Sequence, residues 1–168
     1  MIGVFAAILG YQNVRSTINR ERSRSSKSLG MDVSRIRVIF SRSGEEGKYT
    51  KFFENFTRSQ QNEILQNCDL DNKEVPVIAY QNENWLLVTN QRLIASFPPN
   101  FESFYYDEIS DVTFDKMKTI RKRTKRVPEI EDLEILLSGG NRRSYIVEPG
   151  YPFSGLWNVL KSLSVHRS

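Results

Sequence analysis

The chain is poor in residues that build disulfides, thiolate metal sites or histidine-based catalysis. Its 168 residues include one cysteine, Cys68, and one histidine, His166. A lone cysteine can form neither an internal disulfide nor a thiolate metal cluster, so the count fits a reducing compartment. We interpret Cys68 as a small buried apolar residue near a helix end. His166 lies next to the C-terminus, where a side chain is usually solvated.

The motifs of common enzyme sites are missing as well. The sequence has no Gly-rich phosphate loop, no spacing typical of metal ligands and no histidine placed to act as a base. The acidic pairs Asp107-Glu108 and Glu131-Asp132 could perform acid–base chemistry, but they lie at predicted strand or turn edges, where salt bridges are the more common role. We therefore predict a protein that is not an enzyme, with no catalytic residue, no metal, no cofactor and no small-molecule substrate.

The chain also lacks an apolar run long enough to cross a membrane. The apolar start, residues 1–11, is much shorter than the roughly 20 residues that a bilayer requires. Basic residues follow this run instead of preceding it, which excludes a secretory signal. One helical stripe nevertheless continues through it: Val4, Ile8, Tyr11, Val14 and Ile18. Residues 1–30 are thus either an amphipathic helix, packing on a partner, this domain or a membrane surface, or a disordered leader.

Composition and turn-forming residues divide the rest of the chain into segments. Apolar residues make up 39% of the sequence, enough for one core of roughly 100 to 120 residues. We predict a leader and linker over 1–30, an extension over 31–71 and a β-rich domain over 72–168. Within the extension, the alternation of Ile36, Val38 and Phe40 predicts a short strand. The spacing of Tyr49, Phe52, Phe53 and Phe56 predicts a helix, with Ser59 as the N-cap of another helical turn.

Short strand patterns dominate the second half of the chain. They cover residues 75–80, 85–89, 92–97, 104–106, 109–114, 130–137 and 143–148, with Gly139-Gly140 as a tight hairpin turn. A helix should follow Pro152, because Phe153, Leu156, Trp157, Leu160 and Leu163 share one face. We interpret Trp157 as part of the core. The order predicts a mainly β, α+β fold: a bent antiparallel sheet or open barrel of about seven strands, capped by a C-terminal helix.

Two segments carry a resemblance to a known group of proteins. The run Trp85-Leu86-Leu87-Val88-Thr89-Asn90-Gln91-Arg92-Leu93-Ile94 and the later Tyr106-Asp107-Glu108-Ile109-Ser110-Asp111-Val112 resemble the bacterial pleckstrin-homology-like and GRAM-like families. The resemblance covers about residues 72–165 and implies the fold described above. Each residue has a framework role in it: a turn at Thr89, Asn90 and Gln91, an ion pair from Arg92 to Asp107 or Glu108, and burial of Ile109 and Val112.

The lipid site of those families is not apparent here. Members that bind phosphoinositides carry several Lys and Arg in and beside the first hairpin loop, where charge-assisted bonds hold the phosphates. The corresponding loop is Gln81-Asn82-Glu83-Asn84, which has one acid and no base. This departure argues against phosphoinositide recognition at the usual place.

Positive charge is concentrated in a different loop. Seven bases lie within residues 116–126: Lys116, Lys118, Arg121, Lys122, Arg123, Lys125 and Arg126. Such a loop can be a solvated hairpin tip, or it can bind an anionic membrane or an acidic protein, at about 1 kcal/mol for each base near an anionic leaflet. No aromatic residue interleaves the bases, which disfavours nucleic acid.

The sequence therefore predicts a cytoplasmic, non-catalytic binding module whose partner is another protein, met through a sheet edge or a helix groove. The alternative is a peripheral membrane protein at the inner face of the membrane, anchored by the N-terminal helix and the 116–126 loop. A third hypothesis is a small immunity or inhibitor protein that neutralises a partner.

Overall fold

Two antiparallel sheets and three α-helices make up the part of the chain described by the structure, a computed structural model that covers residues 30–114 and 130–165. The helices are α1 (Val33–Ser43), α2 (Arg58–Leu65) and α3 (Tyr151–Val165). The strands are β1 (Thr50–Phe52), β2 (Pro76–Gln81), β3 (Trp85–Thr89), β4 (Arg92–Phe97), β5 (Asn100–Tyr105), β6 (Ile109–Thr113), β7 (Asp132–Leu137) and β8 (Arg142–Ile146). Single 3₁₀ turns occupy Phe53–Asn55 and Tyr106–Glu108.

The topology is a meander split into two sheets. Strands β1 to β5 pair in sequence order in one sheet, and β6 to β8 pair in the other. The predicted α+β class, antiparallel strands closed by a C-terminal helix, is confirmed. The seven strands predicted within residues 75–148 all form, and β1 is an additional strand that pairs with β2 from Thr50 opposite Tyr80 to Phe52 opposite Ile78.

The main core lies between the two sheets and α3. The predicted apolar face of α3 is buried at Phe153, Leu156, Leu160 and Leu163. Ile109 and Val112 of β6 are buried against it, as predicted. Trp157 packs at the margin of this core, and its indole N–H donates to the Val112 carbonyl at 3.2 Å.

The outer face of the five-stranded sheet is covered as well. A second apolar cluster joins Ile64 of α2 and Phe53 to Trp85, Leu87 and Ile94 of the sheet. The central strands are therefore buried on both faces, with every residue of β3 buried. Two-sided burial explains why β2, β3 and β4 are nearly continuous apolar runs instead of alternating ones.

Three predictions for the 31–71 extension are wrong: the strand at 36–40, the helix over 49–56 and the N-cap at Ser59. Residues 36–40 belong to helix α1, whose N-cap Asp32 accepts a hydrogen bond from the Ser34 N–H at 2.9 Å. Ile36 and Phe40 are buried, whereas Val38 is 45% exposed. Two residues four apart share a helical face, so the apparent period of two came from Val38, which faces solvent.

The predicted helix over 49–56 is instead β1 followed by a 3₁₀ turn. Phe52 packs toward the main core, with its ring centroid 5.3 Å from that of Phe40. Phe53 points into the outer cluster, so the sheet separates two neighbouring phenylalanines. Helix α2 begins after Thr57, which forms a reciprocal capping box with Gln60; Ser59 lies inside the helix.

Helices α1 and α3 meet through two glycines. A Cβ on Gly155 would lie 2.8 Å from the Phe40 ring and 3.2 Å from the Gly44 Cα atom. Such distances are far inside normal van der Waals contact, so only hydrogen fits at this position. The contact attaches α1 to the main core.

We predict that Gly155→Ala lowers the free energy of unfolding by about 1–2 kcal/mol, because overpacking of the α1–α3 contact outweighs the gain in helix propensity. Chemical denaturation of the full chain measures the change. The matched control is Gly139→Ala, where the nearest atom to the new Cβ would be 3.9 Å away. That variant should stay within about 0.5 kcal/mol of the parent. Equal losses for the two variants would contradict this account of the contact.

Candidate interaction surface

A buried ion pair lies under the β3–β4 hairpin. Arg92 Nε donates to Glu74 Oε1 at 2.9 Å, and the two side chains are 7% and 1% exposed. The guanidinium also donates to the Asp69 carbonyl at 2.6 Å and to the Ser103 hydroxyl at 3.1 Å. Sequence reasoning proposed Asp107 or Glu108 as the acid and missed Glu74, which precedes β2 and reaches Arg92 only through the tertiary fold.

The turn of this hairpin belongs to the same network. The Thr89 hydroxyl donates to Glu74 Oε1 at 2.7 Å and accepts the Gln91 and Arg92 N–H groups at 3.1 and 2.9 Å. The Tyr106 hydroxyl donates to the carbonyls of Thr89 and Arg92 at 2.6 and 2.9 Å. Burial raises the pKa of Tyr106 well above its usual value, so the phenol keeps its proton. The turn is framework, as the sequence indicated.

We predict that Glu74→Ala lowers the free energy of unfolding by about 3–5 kcal/mol, because it leaves the Arg92 guanidinium buried without its carboxylate. The control is the more exposed pair in which Arg142 Nη1 lies 3.2 Å from Glu134 Oε2, with side chains 62% and 19% exposed. Glu134→Ala should cost less than about 1 kcal/mol. Denaturant titration of both variants tests the contrast, and a loss below 1 kcal/mol for Glu74→Ala would refute it.

The first hairpin loop offers acids and amides in place of bases. The Asn82 N–H closes the loop onto the Asn84 carbonyl at 2.9 Å, and Glu83 is exposed. Gln81 at the end of β2 donates from Nε2 to Glu63 at 2.9 Å. The neighbourhood of the loop therefore includes two carboxylates, a poor setting for a phosphate group.

The predicted anion-binding residues lie outside the described part of the chain. This holds for Lys116, Lys118, Arg121, Lys122, Arg123, Lys125 and Arg126, and also for the apolar stripe from Val4 to Ile18. The structure describes the two residues that flank 115–129, Phe114 after β6 and Ile130 before β7. The Phe114 ring packs edge-on against Phe153 and Trp157, with centroids 6.0 and 5.6 Å apart. Phe114, the described residue that precedes this segment in sequence, therefore lies beside the start of α3.

Charge is distributed unevenly along the chain. The described residues contain 11 Lys and Arg and 17 Asp and Glu, a formal charge of −6. The remaining residues hold the other 13 of the 24 bases and 3 of the 20 acids, a formal charge of +10. The two values add to the +4 of the whole chain. The modest net charge of the chain is therefore the sum of an acidic described part and a strongly basic remainder.

Several of the acids cover the open backbone of β1. The Glu148 carboxylate accepts the N–H groups of Lys48, Tyr49 and Thr50 at 2.7, 2.9 and 2.7 Å. Glu46 accepts the Phe52 N–H at 2.6 Å. Thr50 and Phe52 belong to β1, and their N–H groups are thereby satisfied on the side that faces away from β2. An edge strand protected in this way cannot easily accept another strand.

Side chains also cover the outer edge of β6 and the end of β5. The Val112 N–H donates to Asp111 Oδ1 at 2.7 Å, and the Val112 carbonyl accepts the Trp157 indole N–H. At the end of β5, Glu108 accepts the Tyr105 N–H at 3.0 Å. The groove between β6 and α3 is therefore closed at its centre by Trp157.

The outer edge of β8 differs from these edges. Among the described strands β8 pairs with β7 alone. The Val147 N–H donates to the Glu131 carbonyl at 2.9 Å, and the Asn141 carbonyl accepts the Leu137 N–H at 2.8 Å. Because pairing alternates along an antiparallel strand, the backbone groups of Arg142, Ser144 and Ile146 point away from β7. The Arg142 carbonyl accepts a bond from Arg143 Nη1 at 3.2 Å.

The two faces of β8 have different surroundings. On the inner face, Glu102 of β5 pairs with Arg143 and accepts the Tyr145 hydroxyl at 2.8 Å. Burial, followed by the bond to Glu102, raises the pKa of Tyr145, so this phenol remains a donor. On the outer face, Arg142 and Ser144 are exposed and Ile146 is 58% exposed. The inner contacts fix the strand while its outer face and edge stay accessible.

No protein-family model and no curated protein sequence matches the chain. Among solved structures, it is similar to a DUF1696 family protein with a pleckstrin-homology domain from Shewanella loihica PV-4. The identity is 16% and the TM-score 0.48, and the match covers 66% of this chain and 100% of that one. This likeness assigns neither a family nor a function to the chain.

Within 30–114 and 130–165, no helix combines the length and the apolar character needed to span a membrane.

Proposed function

We propose that the chain is a non-catalytic binding module that recognises another protein through the outer edge of β8 and the adjoining face of the three-stranded sheet. The observation that carries this proposal is the contrast between edges. Side chains cover outward backbone groups of β1, β6 and the end of β5, whereas Ser144 and Ile146 extend a strand edge toward solvent. Strand addition uses such an edge: main-chain hydrogen bonds supply affinity and side-chain positions supply specificity.

The side chains beside this edge could provide the specificity. Register pairs Ile146 with Asp132 of β7, and Ser144 with Glu134. The exposed aliphatic group of Ile146 is thus flanked by the Asp132 carboxylate on the neighbouring strand and, four residues away along β8, by the Arg142 guanidinium. A partner strand with an apolar residue between charged ones would complement this surface.

Photo-crosslinking of the full chain in the cells that express it tests the proposal. A benzophenone amino acid at position 146 should yield a discrete adduct with a protein. The same group at position 38 should give little, because Val38 is similarly exposed but lies on α1, away from the strand edges. Absence of an adduct at position 146, or the same adducts at both positions, would contradict the proposal.

A second candidate function is binding to an anionic membrane surface, and charge segregation favours it. Of the bases outside the described residues, seven lie in 116–126 and five in 15–27, next to the apolar stripe at the start of the chain. At about 1 kcal/mol for each base near an anionic leaflet, the loop alone could supply several kcal/mol. A basic loop and an amphipathic helix together anchor a protein where either one alone is marginal.

We predict that the full chain co-sediments with phosphatidylserine-containing vesicles at low salt and is released as salt screens the charges. Reversing Arg121, Lys122 and Arg123 to Glu should weaken binding at least tenfold. The control reverses the exposed Arg35, Arg42 and Arg58, which makes the same change in net charge within the described domain. No binding at low salt, or equal effects of the two triple variants, would contradict this function.

A further inference from the structure

The exposed edge of β8 is complementary to itself. We propose that the strand that adds to β8 is β8 of a second copy of this chain, paired antiparallel about a two-fold axis at Ser144. The inference rests on the proposed function, since it names the partner of the same edge. An isologous pair of this kind closes after two subunits and leaves no further edge of the same type.

The alternating direction of the backbone groups along β8 fixes the register of the proposed strand pair. Only Arg142, Ser144 and Ile146 direct backbone groups outward, so they must meet the same set on the partner strand. With the axis at Ser144, Arg142 lies opposite Ile146 of the second copy and the two Ser144 residues face each other. This register uses the whole length of β8. Centring the axis on Arg142 would place two guanidinium groups opposite each other, which is unfavourable.

The outer face is complementary in this register. The aliphatic part of Arg142 would cover Ile146 of the second copy. Ile146 is the most exposed large apolar residue within 30–114 and 130–165. The guanidinium, which lies 3.2 Å from Glu134 Oε2 of its own subunit, would also approach Asp132 of the second copy, which is paired with that isoleucine. The two Glu134 carboxylates would be three strand spacings apart, about 14 Å, so they would repel only weakly.

The inner face changes little in this register. Arg143 comes to lie opposite Tyr145 of the second copy at a closely spaced pair of positions. Glu102 holds Arg143 and Tyr145 of its own subunit, and Tyr145 is only 3% exposed, so these side chains stay within their own subunit.

The expected dimer is weak and depends on concentration. A pair of five-residue strands buries less than the roughly 1,000 Å² of a stable interface, so we expect dissociation in the micromolar range or above. Association through β1 or β6 would first have to break the bonds from Glu148, Glu46, Asp111 and Trp157, whereas pairing through β8 would displace the bond from Arg143 Nη1 to the Arg142 carbonyl.

Disulfide trapping of the purified full chain tests the register. Antiparallel residues facing each other at a hydrogen-bonded position have Cα atoms about 5.5 Å apart, within disulfide range. Mild oxidation of Ser144→Cys should therefore give mostly covalent dimer. The parent should stay monomeric on denaturing gels, because burial raises the pKa of its single thiol, Cys68, to about 11. Glu83→Cys, exposed in the β2–β3 loop of the other sheet, is the control and should also stay monomeric.

Sedimentation velocity over a concentration series tests the reversible dimer. Ile146→Lys should raise its dissociation constant at least tenfold, because a charge on the edge opposes pairing. Val38→Lys adds the same charge at an exposed aliphatic position on α1 and should leave the constant unchanged. Circular dichroism confirms that both variants are folded. A parent that stays monomeric, unlinked Ser144→Cys, or equal effects of the two lysines would overturn the second-copy inference.

Photo-crosslinking at position 146 separates this inference from the proposed function. An adduct between two copies supports both. An adduct with a different protein, together with a monomeric parent, overturns the second-copy inference and leaves the proposed function standing. No adduct of either kind overturns both.

Discussion

Two-sided burial of the five-stranded sheet is the constraint from which the other features follow. Its inner face packs on the second sheet, α3 and α1, and its outer face packs on α2 and the segment around it. Because the outer face is buried, the segment around α2 that covers it must be held in place. The segment is accordingly fastened by Glu46 and Glu148 at β1 and by the Glu74–Arg92 pair below the β3–β4 hairpin.

Many acidic side chains stabilise this buried sheet arrangement. Glu46, Glu108 and Glu148 accept backbone N–H groups, and Glu74 and Glu102 join separate parts of the fold. The acidic balance of the described domain is thus partly the result of carboxylates used as acceptors for strand edges. By contrast, 13 of the 24 bases lie outside residues 30–114 and 130–165.

Sequence patterns predicted those elements whose signal is local. The turns at Thr89 to Arg92 and at Gly139-Gly140 are visible from residue types alone, and the face of α3 follows from its spacing. The patterns gave wrong predictions at two places. Ile36, Val38 and Phe40 alternate along the chain but belong to a helix, and Phe52 and Phe53 are adjacent but lie on opposite faces of a sheet. Short apolar segments are ambiguous in this way, since tertiary packing decides which period applies.

The candidate surface was only partly predictable for a related reason. Tyr145, Ile146 and Val147 are three consecutive apolar residues that do not show which face is exposed, so only the strand itself is visible in the sequence. Which edge stays open is not, because the groups that cover the other edges are close in space and distant along the chain. Glu74 lies 18 residues from Arg92, and Trp157 lies 45 residues from Val112.

The contact of Glu148 with Lys48, Tyr49 and Thr50 has a consequence for the order of folding. It joins positions 98 to 100 residues apart, so closing this loop costs more chain entropy than forming any of the hairpins. Contacts of such long range form after local ones, which makes this bond a late event. During synthesis Glu148 emerges well after β1, and until then the N–H groups of Lys48, Tyr49 and Thr50 lack this acceptor.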